Sequence, residues 1–517
     1  MNLAMVIDIP TMIAPDQVAV VTDEHHETYA ELREAAGRWA ALLSSRGVGK
    51  GDRVAMFATN RPSTLHALFG VLVLGGTIVP MNYRARGEEV AYLIRDSGAG
   101  LVVTEDRYVD SISAVGLPRE QLLTLDEGER EAAALEPLAE TAEVDDAAVA
   151  ILLYTSGTTS LPKGVMLTHT GFSTYVLGNG EAADGQEHGV TLLAAPLYHV
   201  AGLTALTQAL FSGRQVVLLP QFEAGAWLEA VAKHQVTHAF LVPSMLALLL
   251  RHPAFDSADL SSLEMLTYGA APMPAAVLRE AVQRFPKNVS FSGAYGQTET
   301  NSTVAVLGPD DHRMEGTPEE IELKRKRLAS VGKPLPDVEV RIVDALGDPV
   351  GPNRTGEVQL RTARAMAGYW GARSADTRVT VDEEGWVHTG DLGYLDDDGY
   401  LFLTGRASDL IIRGGENISP GEIEAVLVQH PEVQEAVAFG VPDDQWGERV
   451  FAAVVLKQGA AATGEQLVEL CKKQLAGSKR PEMVFVVSDF PRTATGKVLR
   501  RSMASQFVAG REISAAS

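Results

Sequence analysis

A run of hydroxyls and glycine closed by one ammonium, Tyr154-Thr-Ser-Gly-Thr-Thr-Ser-Leu-Pro-Lys-Gly164, is the stretch of this sequence best equipped for chemistry. Backbone N–H groups, Ser and Thr hydroxyls and the Lys163 ammonium together suit the oxygens of a polyphosphate. It is not a Walker A loop, because Gly-x4-Gly-Lys-Ser/Thr is absent. A Ser/Thr/Gly loop is also an ordinary solvated turn. The lysine after Pro162 weighs toward phosphate because the chain sets 44 basic against 67 acidic residues, a net charge of −23. Such a surface repels a nucleic-acid backbone, so nucleic acid is excluded as a partner, and an anion binds only where N–H groups, a metal or a few cations reverse the field. Taken alone, Glu299 and Asp391 read as surface acids, and Lys497 as part of a solvated basic tail with Arg500 and Arg501. The single cysteine, Cys471, cannot form an intramolecular disulfide, has no neighbouring His or Asn to activate it, and reads as a packing or surface residue in a reducing cytoplasm.

These residues need a large scaffold. At roughly 100–200 residues per domain, 517 residues predict about three to four structural units. With 46% hydrophobic and 21% charged residues the chain can bury sizeable cores. Short β-branched runs alternate with helical stretches from about residue 54: VAMFAT, a helix from Ser63, TIVP, a helix from Gly87, LVVT. The pattern resumes at VAILLYTS, TLLAAP, QVVLLP, HAFLVP and EMLTYG, which predicts an α/β fold of two layers within the first 330 residues. The phosphate-loop candidate is expected to follow a strand and precede a helix. The acidic, Ala-rich stretch Asp126 to Asp146 reads as a surface connector between the layers. After Ser330, VEVRIVD, GEVQLR and YLDDDGYLFLTG predict a small antiparallel barrel or sheet, and beyond Gly405 a separate α+β domain of about 110 residues follows. The N-terminus lacks a basic n-region, and the apolar run Leu65 to Met81 is too short and interrupted to span a bilayer, so neither a signal peptide nor a transmembrane segment is expected. No internal repeat is evident.

The Tyr154–Gly164 loop resembles the signature of the adenylate-forming superfamily, which includes acyl-CoA synthetases and peptide-synthetase adenylation domains; ten of its eleven positions match. The likeness continues in order along most of the chain. Gly269-Ala270-Ala271-Pro272 is similar to the adenine-side loop, and Tyr295-Gly-Gln-Thr-Glu299 to the family's YGxTE. Ser330-Val-Gly-Lys-Pro334 and Gly385-Trp-Val-His-Thr-Gly-Asp391 follow, then Gly405-Arg406, Gly414-Gly-Glu-Asn-Ile-Ser-Pro420 and Pro491 to Arg500. The resemblance implies a large AMP-binding domain over 1–407, built of two α/β layers and a small β-barrel. A smaller mobile α+β domain would occupy 408–517, with a hinge near Ser408. It also implies ATP, AMP as acyl-adenylate, Mg²⁺ and coenzyme A as cofactors. Thr158, Thr159 and Lys163 would cradle the β- and γ-phosphates, with Thr155, Ser156 and Gly157 in the same loop. Gly269 to Pro272 and Ala294, Tyr295 and Gly296 would flank the adenylate. Thr298 would donate to the α-phosphate, Glu299 would hold Mg²⁺, and Asp391 would accept the ribose hydroxyls beside Arg406. Lys497 would bridge carboxylate and α-phosphate in the transition state. Gly414, Gly415 and Trp446 would border a pantetheine channel after a hinge rotation. Lys479-Arg480 and Arg84 are candidates for the CoA phosphates.

The acid pocket implied by similarity runs along His199 to Leu203, Phe240 to Met245 and Tyr268 to Ala270. It has no Asp to hold an ammonium in Pro196 to Leu203, which favours an uncharged, apolar acid, with His199 gating the acyl tunnel. Two departures stand out. Ser160 occupies a position usually held by Gly, and Ser408 stands where the hinge usually carries Asp or Lys. The first reading is an acyl-CoA ligase. The alternatives are an adenylation-impaired ligase that mainly thioesterifies an adenylate, an adenylation enzyme loading a carrier protein, and a non-enzymatic nucleotide-binding scaffold. A homodimer and a partner adenylating enzyme or carrier protein are compatible with these readings, and the oligomeric state is left open.

Overall fold

Runs such as Arg53–Phe57 have apolar side chains on both faces, which suits a parallel strand covered by helices on each side. The computed structural model describes residues 1–155, 161–371, 376–443, 445–492 and 498–507. Contacts group Met1–Val340 with Leu360–His388, and Arg341–Gln359 with Thr389–Ser517.

The first unit holds two large sheets. One has seven strands in the order Gly368–Tyr369, Lys163–Thr168, Val149–Thr155, Thr77–Pro80, Arg53–Phe57, Leu101–Thr104, Leu122–Thr124. The last five are mutually parallel, and Lys163–Thr168 is antiparallel to its neighbours. Side chains of Arg53–Phe57 alternate between cores. Val54 and Met56 join Leu65 and Phe69 of the helix Pro62–Val73, whereas Ala55 and Phe57 join Val90 and Leu93 of the helix Glu88–Ser97. The other sheet has nine strands, in the order Lys333–Pro334, Ser302–Leu307, Ser290–Gln297, Met265–Gly269, His238–Leu241, Val190–Leu193, Gln215–Leu218, Val18–Val21, His26–Thr28. Val20, Leu193 and Val216 of this sheet share a core with Val54 and Ile78 of the first, so one apolar layer lies between the two sheets. The expected two-layer α/β architecture is present.

Two local expectations are corrected. The phosphate-loop candidate leads into a strand, Lys163–Thr168, and the helix His169–Asn179 comes only after it. Thr155 and Lys163 pair across this hairpin, because Val165 and Leu167 each have a buried place on it. The stretch from Asp126 is not wholly connector: Leu125–Ala132 is a helix, capped reciprocally by Thr124 and Glu127. Its Gly128 lies so close to Trp39 that an added Cβ would fall 2.1 Å from the indole Cη2. Ahead of the alternation expected from about residue 54, Val18–Val21 also forms a strand of the nine-stranded sheet, parallel to Gln215–Leu218.

A four-stranded sheet follows, in the order Glu339–Val343, Gly356–Arg361, Val387–Leu395, Leu401–Arg406. In the second unit, Ile411–Arg413, Glu416–Ile418, Val433–Asp443, Gly447–Leu456 and Met483–Val487 make a mixed sheet carrying the helices Pro420–Leu427, Gly464–Gln474 and Arg500–Phe507. This is the expected α+β layout. Cys471 is fully buried against Ile423, Leu427 and Leu467, and burial pushes its thiol up to about 11, the behaviour of a packing residue. Among the described residues, no helix is long and apolar enough to cross a membrane.

Candidate functional site

In the first unit, the two strands flanking the phosphate-loop candidate fix its ends. Tyr154 donates its hydroxyl to Asp96 Oδ2 at 2.6 Å, and Tyr92 donates to the Pro162 carbonyl at 3.0 Å. Ser156, Gly157, Thr158, Thr159 and Ser160 lie outside the described residues, as does Lys497. Lys163, at the start of the returning strand, pairs with Asp376 Oδ2 at 2.9 Å, and its ammonium stands 4.9 Å from the centre of the Tyr369 ring. The Tyr369 hydroxyl donates to Glu299 Oε1 at 2.9 Å, and burial raises its pKa, so it remains a donor. One aromatic side chain therefore links the ammonium to the candidate metal-binding carboxylate.

Thr298 and Glu299 lie in a short turn, Thr298–Thr300, at the end of the strand Ser290–Gln297. The residues after it are left-handed without being glycine: Asn301 has φ 57° and Ser302 φ 91°. Gly269 and Ala294 are cross-strand partners, and a Cβ on Gly269 would lie 2.3 Å from the Ala294 carbonyl oxygen, so only glycine fits this strand end. Ala270 follows at φ 65°, a conformation costly for an L-residue, which turns the chain sharply into Ala271-Pro272. Tyr295 and Gly296 lie on the strand next to this turn.

The pocket residues also have definite chemistry. His199 precedes the helix Val200–Phe211, with its ring 4.5 Å from that of Tyr198. Its Nε2 is buried with no partner among the described residues, and burial pushes the imidazole down to about 4, so it is neutral near pH 7. Tyr268 donates to His312 Nε2 at 2.9 Å while His312 Nδ1 donates to the Gly308 carbonyl at 2.8 Å. Burial lowers the pKa of this histidine too.

In the second unit, Asp391 and Arg406 are cross-strand partners, and Arg406 Nε donates to Asp391 Oδ1 at 2.8 Å. Asp391 is only 5% exposed, so its carboxylate is held where charge is poorly screened. Gly414 (φ 59°) and Gly415 (φ 84°) form the turn between Ile411–Arg413 and Glu416–Ile418, where a side chain would be strained. Gly414 donates its N–H to the Trp446 carbonyl at 2.7 Å; the indole is 47% exposed, with the Arg413 guanidinium 5.8 Å from its centre. Ser408 lies in the turn Ala407–Asp409 and donates to Asp409 at 3.2 Å. Lys479 pairs with Glu422, and Arg480 donates to the Leu475 carbonyl. Arg84 stacks over Tyr83.

The structure thus joins Lys163 to Glu299, Gly269 to Ala294, Asp391 to Arg406 and Gly414 to Trp446. Sequence reasoning missed Tyr369, Asp376 and His312. Tyr369 had one available signal, its place in Gly368-Tyr-Trp370 directly after a glycine; the others are isolated in the sequence.

A family model described as AMP-binding enzyme matches residues 12–370, and one described as AMP-binding enzyme C-terminal domain matches 422–497. A feruloyl-CoA synthase from an Amycolatopsis species is 36% identical over 481 residues, covering 93% of this chain and 94% of that protein. A 2-succinylbenzoate–CoA ligase from Geobacillus kaustophilus is 34% identical, covering 95% of each. Among solved structures, the o-succinylbenzoate CoA synthetase of Bacillus subtilis with its acyl-adenylate intermediate superimposes with a TM-score of 0.82 at 31% identity, over 97% of both chains.

Proposed function

The chain belongs to the AMP-binding enzyme family, and on that footing we propose that it is an AMP-forming acid–thiol ligase. A carboxylic acid and ATP give an acyl-adenylate and pyrophosphate; CoA then displaces AMP to give the acyl-CoA. The observation that carries this reading is the link from Lys163 through Tyr369 to Glu299, which sets a cation and a carboxylate on one aromatic ring where the chain returns from the hydroxyl-rich loop. Relatives whose names specify CoA thioesters support the acceptor.

Lys163 exchanges Asp376 for the β- and γ-phosphates, and Thr298 donates to the α-phosphate. Asp391, steadied by Arg406, takes the ribose hydroxyls. Lys497 bridges the attacking carboxylate and the α-phosphate, where charge shifts most in the transition state. The small domain, 408–517, then turns about Ser408 and brings the Gly414-Gly415 turn and Trp446 to the pantetheine thiol. The neutral His199 imidazole and the absence of a carboxylate in Pro196 to Leu203 suit an apolar, uncharged acid. Among the described residues no three His, Cys, Asp or Glu side chains are placed to hold a metal together. Glu299 would hold Mg²⁺, a hard ion that prefers carboxylate oxygen. When bound, the metal neutralises phosphate charge. A cytoplasmic setting agrees with the lone reduced cysteine.

The test is ATP–pyrophosphate exchange and CoA-dependent AMP release across a panel of apolar acids, amino acids and dicarboxylates. Exchange with an apolar acid in the absence of CoA, together with AMP release that requires CoA, is expected. Absence of exchange with every acid, or transfer only to a carrier-protein thiol, would overturn the reading.

A further inference from the structure

Arg364 is a charged side chain with no exposed surface, a rare state that needs full pairing. Its Nε donates to Asp337 Oδ2 at 2.6 Å, Nη1 to the Thr300 carbonyl at 3.0 Å and Nη2 to the Thr303 carbonyl at 2.8 Å, while its Cζ lies 4.9 Å from the Tyr175 ring centre. The two carbonyls bracket Asn301 and Ser302, the left-handed pair that follows Thr298-Glu299. Farther along the same segment, the Met366 N–H donates to the Glu299 carbonyl at 2.9 Å, and Tyr369 grips the Glu299 carboxylate. One short segment thus holds the turn at three backbone carbonyls and at its acidic side chain. A buried ion pair is a poor source of stability, because desolvation offsets its attraction. A planar fork of fixed donors is, however, well suited to imposing geometry. Strained residues persist only where the surroundings over-determine them.

We propose that Arg364 and Tyr369 are positioning residues: Arg364 fixes the strained Thr300–Thr303 turn, and Tyr369 aims the Glu299 carboxylate before nucleotide arrives. The inference rests on the ligase reading in that Glu299 is taken to face the phosphates and their metal ion. The Glu299 oxygen that accepts from Tyr369 is then oriented in advance, and the lysine over the same ring is kept in register with it.

The test uses the full chain carrying Tyr369→Phe, Arg364→Met or Arg364→Lys. Phenylalanine keeps the ring under Lys163 and removes only the hydroxyl, so this variant isolates the aim of the carboxylate. Equilibrium binding of ATP across a Mg²⁺ titration should show half-saturation at a Mg²⁺ concentration at least five-fold higher in Tyr369→Phe. Transfer from a supplied acyl-adenylate to CoA should stay within two-fold of the parent. In nucleotide-free protein, Arg364→Met should speed hydrogen exchange at Asn301 to Thr303 at least ten-fold. Arg364→Lys should not restore protection, since one ammonium cannot serve both carbonyls in the fork's geometry. If the parent binds Mg·ATP and exchanges pyrophosphate while Tyr369→Phe keeps the parental Mg²⁺ dependence, the inference is overturned and the ligase reading stands. If Arg364→Met does not fold, the Tyr369→Phe titration decides. A parent that neither binds ATP nor exchanges pyrophosphate overturns the ligase reading itself, and this inference with it.

Discussion

His66 is a buried group from which a large pH effect on stability is expected. It lies on the helix Pro62–Val73 with Nε2 2.8 Å from Glu27 Oε2 and Nδ1 2.9 Å from Glu129 Oε1, and the Trp39 indole N–H donates to that same Glu129 oxygen at 2.8 Å. His25 stands 3.6 Å from Glu27, and the field of Arg61 reaches Glu129. Burial pulls the His66 pKa down, but the two carboxylates more than offset it and hold the imidazole up at about 9, against 6.5 for a free group. A folded pKa above the unfolded one means that the stabilisation is fully present below about pH 6.5 and is lost as pH rises through about 9. At 1.36 kcal/mol per pKa unit the loss is about 3 kcal/mol, and because His66 is only 7% exposed little of it is screened away. The comparison is with Glu27→Gln/Glu129→Gln, in which His66 has lost both acids and burial keeps it neutral. Guanidinium unfolding of both proteins, followed at pH 6.0, 7.5 and 9.5 through indole fluorescence, should show the parent's advantage shrinking by about 3 kcal/mol over that range. An advantage that is the same at all three pH values would refute a charged His66 at the centre of this cluster.

Lys497→Ala should slow ATP-dependent adenylate formation by about a hundredfold, roughly 2.7 kcal/mol of transition-state stabilisation, while transfer from supplied adenylate to CoA changes little; equal losses in single-turnover assays of both steps would reject its assigned role. Trp446→Ala, at an indole already half exposed, should leave the melting temperature nearly unchanged and raise the CoA requirement by about tenfold, roughly 1.4 kcal/mol; an unaltered thioesterification rate at subsaturating CoA would remove Trp446 from the thiol path. Gly128→Ala puts a methyl into the Trp39 ring and should destabilise the first unit by about 1–3 kcal/mol, read as an earlier indole unfolding transition, and a transition at the parental midpoint would contradict the close packing.

Much of the fold is legible wherever the signal is local. The parallel strands announce themselves as short β-branched runs, and the helices at Pro62, Pro420 and Gly464 begin near residues that favour a first turn. Elements whose reason for existing is distant are less visible. Val18–Val21 is a run of only four apolar residues after the turn signal Pro15-Asp16, and it becomes a strand because Gln215–Leu218 offers it an edge. The helix Leu125–Ala132 did carry a local signal, Thr124 followed three residues later by Glu127, but the acidic, Ala-rich composition around it reads equally as solvated connector. Lys163–Thr168 sits where phosphate-binding loops commonly meet a helix, and its antiparallel pairing with Val149–Thr155, with Val165 and Leu167 buried, makes it a strand instead.

The residues proposed to act on substrate are legible because each sits in a contiguous motif: a hydroxyl-rich loop before Lys163, or an acid at a fixed place after Tyr295. The residues that hold them are not, because their chemistry is completed across the chain. Tyr369 meets Glu299 at a separation of 70 residues and Arg364 meets Thr300 at 64. The turn between them is only half flagged: Asn301 is a type that tolerates the left-handed region, whereas Ser302, at φ 91°, is not. What makes the conformation tenable is the guanidinium on the carbonyls at each side, and a lone arginine in Thr362-Ala-Arg-Ala-Met366 gives no hint of that in one dimension. Local pattern can therefore name the atoms that would touch a nucleotide, whereas the geometry that makes Glu299 useful to one is a property of the folded chain.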